Sequence, residues 1–119
     1  MRFSAPKLLL HAEGLIALVA ASLVYSKLSA PWSYFALLFL APDVSMLGYL
    51  AGKPIGAWCY NAAHTYLAPA ALTFLIYAAD RLDLVYLPVI WVAHIGFDRL
   101  FGYGLKYPTD FKDTHLHRL

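Results

Sequence analysis

Seven ionisable side chains lie inside stretches of sequence that are otherwise almost wholly apolar. They are His11, Glu13, Asp43, His64, His94, Asp98 and Arg99. A charged side chain at the centre of a lipid bilayer costs about 2.5–3.5 kcal/mol on insertion scales, so such residues usually have a function. Imidazole nitrogens and carboxylate oxygens are donors that zinc, iron and manganese take in proteins. These residue types therefore indicate a site for a divalent transition metal.

The spacing of these residues favours a shared site. His94 and Asp98 are four residues apart, so a helix places them on one face. Tyr60, Asn61 and His64 share a helical face in the same way. We predict that the metal ligands are His64, His94 and Asp98. A supporting polar network is predicted from Tyr60, Asn61 and Arg99.

Two further carboxylates are expected to complete the site. Asp43 follows Pro42, which removes an intrahelical hydrogen bond and predicts a kink in that helix. Glu13 shares a helical stripe with Ala17 and Ala20, small residues that let a neighbouring helix approach closely. We predict that Glu13 and Asp43 act as general base or as further ligands. The reaction would be hydrolysis of a lipid-like substrate by a metal-bound water.

Two other interpretations of these residues stay open. Chains of Asp, Glu and His inside membranes can conduct protons or ions, and a chain of this size would then require an oligomer. Alternatively, the charged groups form only a satisfied polar network in which Arg99 pairs with Asp98 or Asp43. The protein would then be a structural or partner-binding subunit. The sequence contains no nucleotide-binding loop, no nucleophile elbow and no His-Glu-x-x-His motif.

Composition indicates that membrane spans position these residues. The chain has 119 residues, of which 61% are hydrophobic and 13% charged. Soluble domains carry about 25% charged residues, so this chain has too little polar surface for water. The net charge of +2 and the scattered basic residues do not support binding to nucleic acid. Four apolar stretches each approach or exceed the roughly 20 residues that a crossing requires, over residues 7–25, 31–50, 54–79 and 84–105.

Short turns between these stretches make consecutive helices antiparallel. The sequence therefore predicts an all-α fold, a four-transmembrane-helix antiparallel bundle with up-down-up-down topology over residues 1–107. A polar cytoplasmic tail is predicted over residues 108–119. Most basic residues flank the side that holds both termini: Arg2, Lys7, Lys53, Lys106, Lys112 and Arg118. The positive-inside rule then places both termini in the cytoplasm. At the helical rise of 1.5 Å per residue, the candidate residues lie roughly 9–17 Å from the cytoplasmic helix ends.

Several segments resemble the motifs of a known family. They are residues 41–49 (APDVSMLGY), 60–66 (YNAAHTY), 93–107 (AHIGFDRLFGYGLKY) and 111–116 (FKDTHL). Together they are similar to domain of unknown function 4260, a family of short bacterial membrane proteins, over essentially the whole chain. The resemblance implies a multi-pass protein of the bacterial inner membrane and implies no particular activity. Membrane lipid is the expected partner, with a homo-oligomer as a further possibility.

Overall fold

The computed structural model describes residues 5–106 and 114–118. Within them the regular elements are helices, with one isolated antiparallel bridge between Lys106 and Thr114 and no β-strand. The prediction of an all-α fold is confirmed for these residues. In chain order the elements are α1 (Ala5–Ser26), α2 (Trp32–Leu38), a long 3-10 helix (Ala41–Ala51), α3 (Lys53–His64), α4 (Leu67–Ala78), a short 3-10 helix (Leu82–Leu84), α5 (Tyr86–Leu100) and α6 (His115–Arg118).

Prolines divide two of the four predicted spans. In an α-helix a proline ring collides with the carbonyl group four residues earlier. Accordingly, α2 ends at Leu38, four residues before Pro42, and the chain continues as the long 3-10 helix. The segment around Thr65 is extended, with a ψ of 143°, and Pro69 lies four residues later in the first turn of α4. The expected kink at Pro42 is therefore a change of helix type, and the expected helix over residues 54–79 is two helices.

α1 and α5 cross with their backbones in contact. A Cβ atom built on Gly14 would lie 2.7 Å from the carbonyl oxygen of Gly96. A Cβ atom built on Gly96 would lie 2.7 Å from the carbonyl oxygen of Gly14 and 3.1 Å from the Cβ of Ala17. Ordinary van der Waals contact begins at 3.4 Å, so the crossing point has room only for glycine. Small residues do mediate helix contact here. Gly14 lies at its centre and the predicted Ala17 takes part, whereas Ala20 is exposed.

The end of α5 turns the chain back towards α3. Gly102 has a positive φ of 87°, and the Tyr103 N–H donates to the Asp98 carbonyl at 2.7 Å, as in a Schellman motif. Beyond this turn, the Asn61 side chain holds both backbone groups of Lys106. Its Nδ2 donates to the Lys106 carbonyl at 2.8 Å, and its Oδ1 accepts from the Lys106 N–H at 2.5 Å. Asn61 thus anchors the segment that follows α5.

Part of the predicted polar tail packs against the helices. Of residues 108–119, the structure describes 114–118, and the others lie outside the described residues. Thr114 and Leu116 are fully buried, each with 0% exposure. The His115 N–H donates to the Leu105 carbonyl at 3.0 Å. Residues 114–116 therefore belong to the folded body of the protein.

Two helical stretches of the described residues are long and apolar enough to cross a membrane, judged by length and composition. They are Ala5–Ser26, with a mean hydropathy of 1.9, and Trp32–Ala51, with a mean hydropathy of 1.5. Large apolar side chains face outward, among them Leu50, Leu37 and Trp58.

Candidate metal centre

Four of the predicted site residues come together between the long 3-10 helix, α3 and α5. They are Asp43, His64, His94 and Asp98, and one donor atom from each lies within 4.8 Å of the other three. The Nε2 atom of His64 is 3.1 Å from Asp43 Oδ1 and 3.4 Å from Asp98 Oδ2. The Nε2 atom of His94 is 3.2 Å from each of the same two oxygens. The two Nε2 atoms are 3.1 Å apart.

Five of the six donor-to-donor separations are close to those in a metal site. The sixth, between the Asp43 and Asp98 carboxylates, is within 4.8 Å. A tetrahedral zinc site with ligands at about 2.0–2.2 Å has neighbouring donors about 3.3–3.6 Å apart. The five separations here run from 3.1 to 3.4 Å. Two carboxylates within 4.8 Å of each other repel unless a cation or a proton compensates their charge. Nitrogen and oxygen donors without a thiolate suit zinc, iron or manganese.

The local chain path explains why these residues meet. Asp43 comes directly after the proline that starts the long 3-10 helix. His64 is the last residue of α3, where the chain breaks before α4. His94 and Asp98 lie one turn apart on α5, as their spacing predicts. Two donors therefore lie near helix ends, and the other two lie on one face of α5.

The rings of the two histidines are held by neighbouring groups. His64 Nδ1 lies 2.8 Å from the Tyr60 carbonyl, and because a carbonyl only accepts, Nδ1 carries the proton and donates. In the neutral ring this leaves the Nε2 lone pair directed at the centre, the usual arrangement in metal sites. The Tyr60 ring stacks on the His64 ring, with centroids 3.7 Å apart and an interplanar angle of 6°. The Phe39 ring packs edge-on against His94, with centroids 5.2 Å apart.

Arg99 does not contact the donor atoms but forms a hydrogen bond with the backbone of His64. Its Nη2 donates to the His64 carbonyl at 3.0 Å, a group that the break after α3 leaves without a helical partner. The guanidinium also lies 5.7 Å from the centroid of the Tyr66 ring. Among the described residues it forms no ion pair with Asp98 or Asp43. The pairing considered for a purely structural network is therefore absent from this part of the chain.

His115 is a residue of the site's surroundings that the sequence argument missed. Its Nδ1 accepts from the Leu105 N–H at 2.8 Å, and its Nε2 lies 3.2 Å from Arg99 Nη1. Burial, and next the positive charge of Arg99, hold the pKa of His115 below its ordinary value. The imidazole is thus neutral near pH 7. The signal that pointed to it was its place in residues 111–116, one of the segments that resemble the family.

Replacing Arg99 with methionine is expected to destabilise the protein by about 1–3 kcal/mol, because the buried His64 carbonyl would lose its donor. The measurement is reversible unfolding in mixed detergent micelles. Arg81→Met is the matched control, since Arg81 forms an exposed pair with Asp83 at 3.0 Å. An exposed pair contributes about 0–1 kcal/mol. Equal losses of stability in the two variants would contradict this role of Arg99.

Glu13 lies outside the metal centre. Its side chain is exposed on α1, and the four-donor group contains no residue of α1. Gly14 is the residue of α1 at the crossing with α5. Consecutive residues of an α-helix point about 100° apart, so the neighbour of Gly14 turns away from α5. The expected convergence of five ionisable residues is therefore a convergence of four.

Two apolar spaces lie near the four donor residues, and one of them is lined by a donor. An open groove of about 540 Å³ contains Asp43 among apolar side chains that include Leu40, Val44 and Leu47. A second cavity, of about 330 Å³, lies between α2, the long 3-10 helix, α3, α4 and α5, and its walls include Pro42, Ser45, Ala63, Leu72, Ile90 and Trp91. The Asp43 side chain is 34% exposed, whereas that of His94 is 2% exposed. The centre is thus accessible on the side of Asp43.

Comparison with known proteins identifies one family. The family model described as Domain of unknown function (DUF4260) matches residues 7–119, which include all four donor residues. No curated protein and no solved structure matches the chain. The match covers the segments on which the sequence resemblance rests.

Proposed function

This chain belongs to the DUF4260 family, and we propose that it is an integral membrane protein that binds a divalent transition metal at Asp43, His64, His94 and Asp98. The convergence of four donor atoms within 4.8 Å carries the proposal. Zinc, iron and manganese all accept nitrogen and oxygen donors.

The membrane part of the proposal is supported by composition and by the helices. α1 and the stretch Trp32–Ala51 would form two crossings. α3 together with α4 would form the third and α5 the fourth, with both termini in the cytoplasm of a bacterium. A break such as that at Thr65 is tolerated inside a membrane when the freed backbone groups find partners. The bond from Arg99 to the His64 carbonyl meets this requirement.

The reaction we propose is hydrolysis of a lipid-like substrate. Catalytic zinc sites have three protein ligands and one exchangeable position, and the metal lowers the pKa of a bound water to about 7. His64, His94 and Asp98 would be the fixed ligands. Asp43 is the most exposed of the four donors, so we assign it to the exchangeable position. Once displaced by water, its carboxylate lies close enough to act as general base.

One observation favours a second function, a metal site that only stabilises the bundle. Four protein donors within 4.8 Å of one another can close the coordination sphere, as in structural zinc sites. The metal would then join the long 3-10 helix, α3 and α5. The two functions differ in the role of Asp43. It is an exchangeable group in the catalytic site and a permanent ligand in the structural one.

The test begins with protein purified in detergent without added metal. Elemental analysis is expected to find about one zinc, iron or manganese ion per chain. Asp43→Asn is then expected to retain most of the metal and to lose hydrolysis of 4-nitrophenyl dodecanoate in micelles. Loss of metal and of thermal stability in the same variant would instead support the structural site. Wild-type protein that contains no metal and gains none on incubation with zinc would refute both.

A further inference from the structure

The cavity of about 330 Å³ beside the metal centre has the size of a small ligand pocket, since such pockets run from roughly 300 to 1,000 Å³. Its walls come from five helical segments, α2, the long 3-10 helix, α3, α4 and α5. It is therefore a partly open cavity that the tertiary fold forms, and no single helix accounts for it.

The polar groups in the cavity wall are bonded elsewhere. The Ser45 hydroxyl donates to the Pro42 carbonyl at 2.7 Å, and the Trp91 indole N–H donates to the Ala63 carbonyl at 2.5 Å. A stable water needs two to four polar partners, so this cavity is a poor site for water. In a protein surrounded by lipid, the available apolar filling is hydrocarbon.

The cavity also adjoins the metal ligands along the chain. Pro42 precedes Asp43, and Ala63 precedes His64. Ile90 lies one helical turn before His94 on α5. Because Ile90 and His94 share one face of α5, the part of a ligand beside Ile90 would be the part nearest the donor atoms.

We propose that this cavity binds the acyl chain of a membrane lipid, and that the substrate of the metal centre is an ester of a fatty acyl chain. This inference rests on the proposed hydrolytic function. In the reaction, water adds to the acyl carbonyl carbon and the bond from that carbon to the alcohol oxygen breaks. Asp43 takes a proton from the water and passes it to the leaving alcohol. The products are a fatty acid and an alcohol.

The test uses the fluorescence of Trp91, which lines the cavity. The chain has three tryptophans, so a Trp32→Phe, Trp58→Phe background leaves Trp91 as the reporter. The protein is reconstituted in phosphatidylcholine vesicles whose acyl chains carry bromine, which quenches tryptophan on contact. We expect strong quenching of Trp91 in this background.

Two matched pairs of variants separate the cavity from general lipid contact. Ala63→Leu fills the cavity, and Ala62→Leu adds the same atoms at the exposed neighbouring position of α3. Leu72→Phe narrows the cavity from α4, and Leu75→Phe alters an exposed position of the same helix. Because a pocket encloses most of its ligand, the two cavity variants are expected to reduce quenching roughly twofold. The two surface variants are expected to leave it unchanged.

Equal quenching within both pairs would overturn the acyl-chain inference. If Ala63→Leu does not fold, the comparison of Leu72→Phe with Leu75→Phe alone tests the inference. Metal content of the same preparations distinguishes the two proposals. If the protein binds metal and quenching is equal within both pairs, the proposed metal site stands and the proposed acyl-chain site is refuted. If the cavity variants reduce quenching but the protein binds no metal, the result supports binding of an acyl chain and refutes the proposed hydrolytic function.

Discussion

Replacing His94 with alanine is expected to eliminate metal binding by the purified protein. The His94 side chain is 2% exposed, and its Nε2 lies within 3.2 Å of both carboxylate oxygens of the centre. Loss of an outer group that only orients a ligand already costs about 10–100-fold in metal affinity, so loss of a ligand should exceed 100-fold. The measurement is zinc titration of the metal-free protein against a competing chelator, together with elemental analysis.

His11→Ala is the control for this prediction. It also removes an imidazole from the helical body, but His11 is bonded to the Leu100 carbonyl at 2.7 Å and lies outside the four-donor group. The control is expected to keep the metal content of the wild type. If His94→Ala bound zinc as tightly as His11→Ala, the four residues would form a polar network without a metal.

Replacing Gly14 or Gly96 with leucine is expected to separate α1 from α5. The new side chain would meet backbone atoms of the opposite helix, which cannot rotate away as a flexible side chain can. Overpacking a well-packed contact costs roughly 1–3 kcal/mol, and a backbone clash should reach about 3 kcal/mol or more. Reversible unfolding in mixed detergent micelles measures this loss. Because α5 carries His94 and Asp98, metal content should fall as well.

Ala12→Leu is the control on the same helix, at an exposed position two residues before Gly14. A side chain that faces the surroundings should leave the unfolding free energy within about 0.5 kcal/mol of the wild type. If Gly14→Leu were as stable as Ala12→Leu, the close crossing of α1 and α5 would be wrong.

The positions of two helix breaks follow from a sequence rule about proline, applied at Pro42 and Pro69. The collision of a proline with the carbonyl four residues earlier explains the end of α2 at Leu38 and the break at Thr65. The apolar run over residues 54–79 hides the break at Thr65, because hydropathy does not depend on backbone conformation.

The role of His115 could not be predicted from its polar surroundings in the sequence. Its bonds to Leu105 form only when the chain folds back over α5.

The sequence by itself identified the residue types of the four-donor group and part of its geometry. Imidazoles and carboxylates in apolar surroundings indicated metal chemistry, and the four-residue spacing placed His94 and Asp98 on one helical face. Only the tertiary structure decided that Asp43 joins them and that Glu13 does not. The rotation of each helix about its axis is set by packing between helices, here by the contact of Gly14 with Gly96. Spacing along one helix cannot encode that rotation, because it depends on the partner helix.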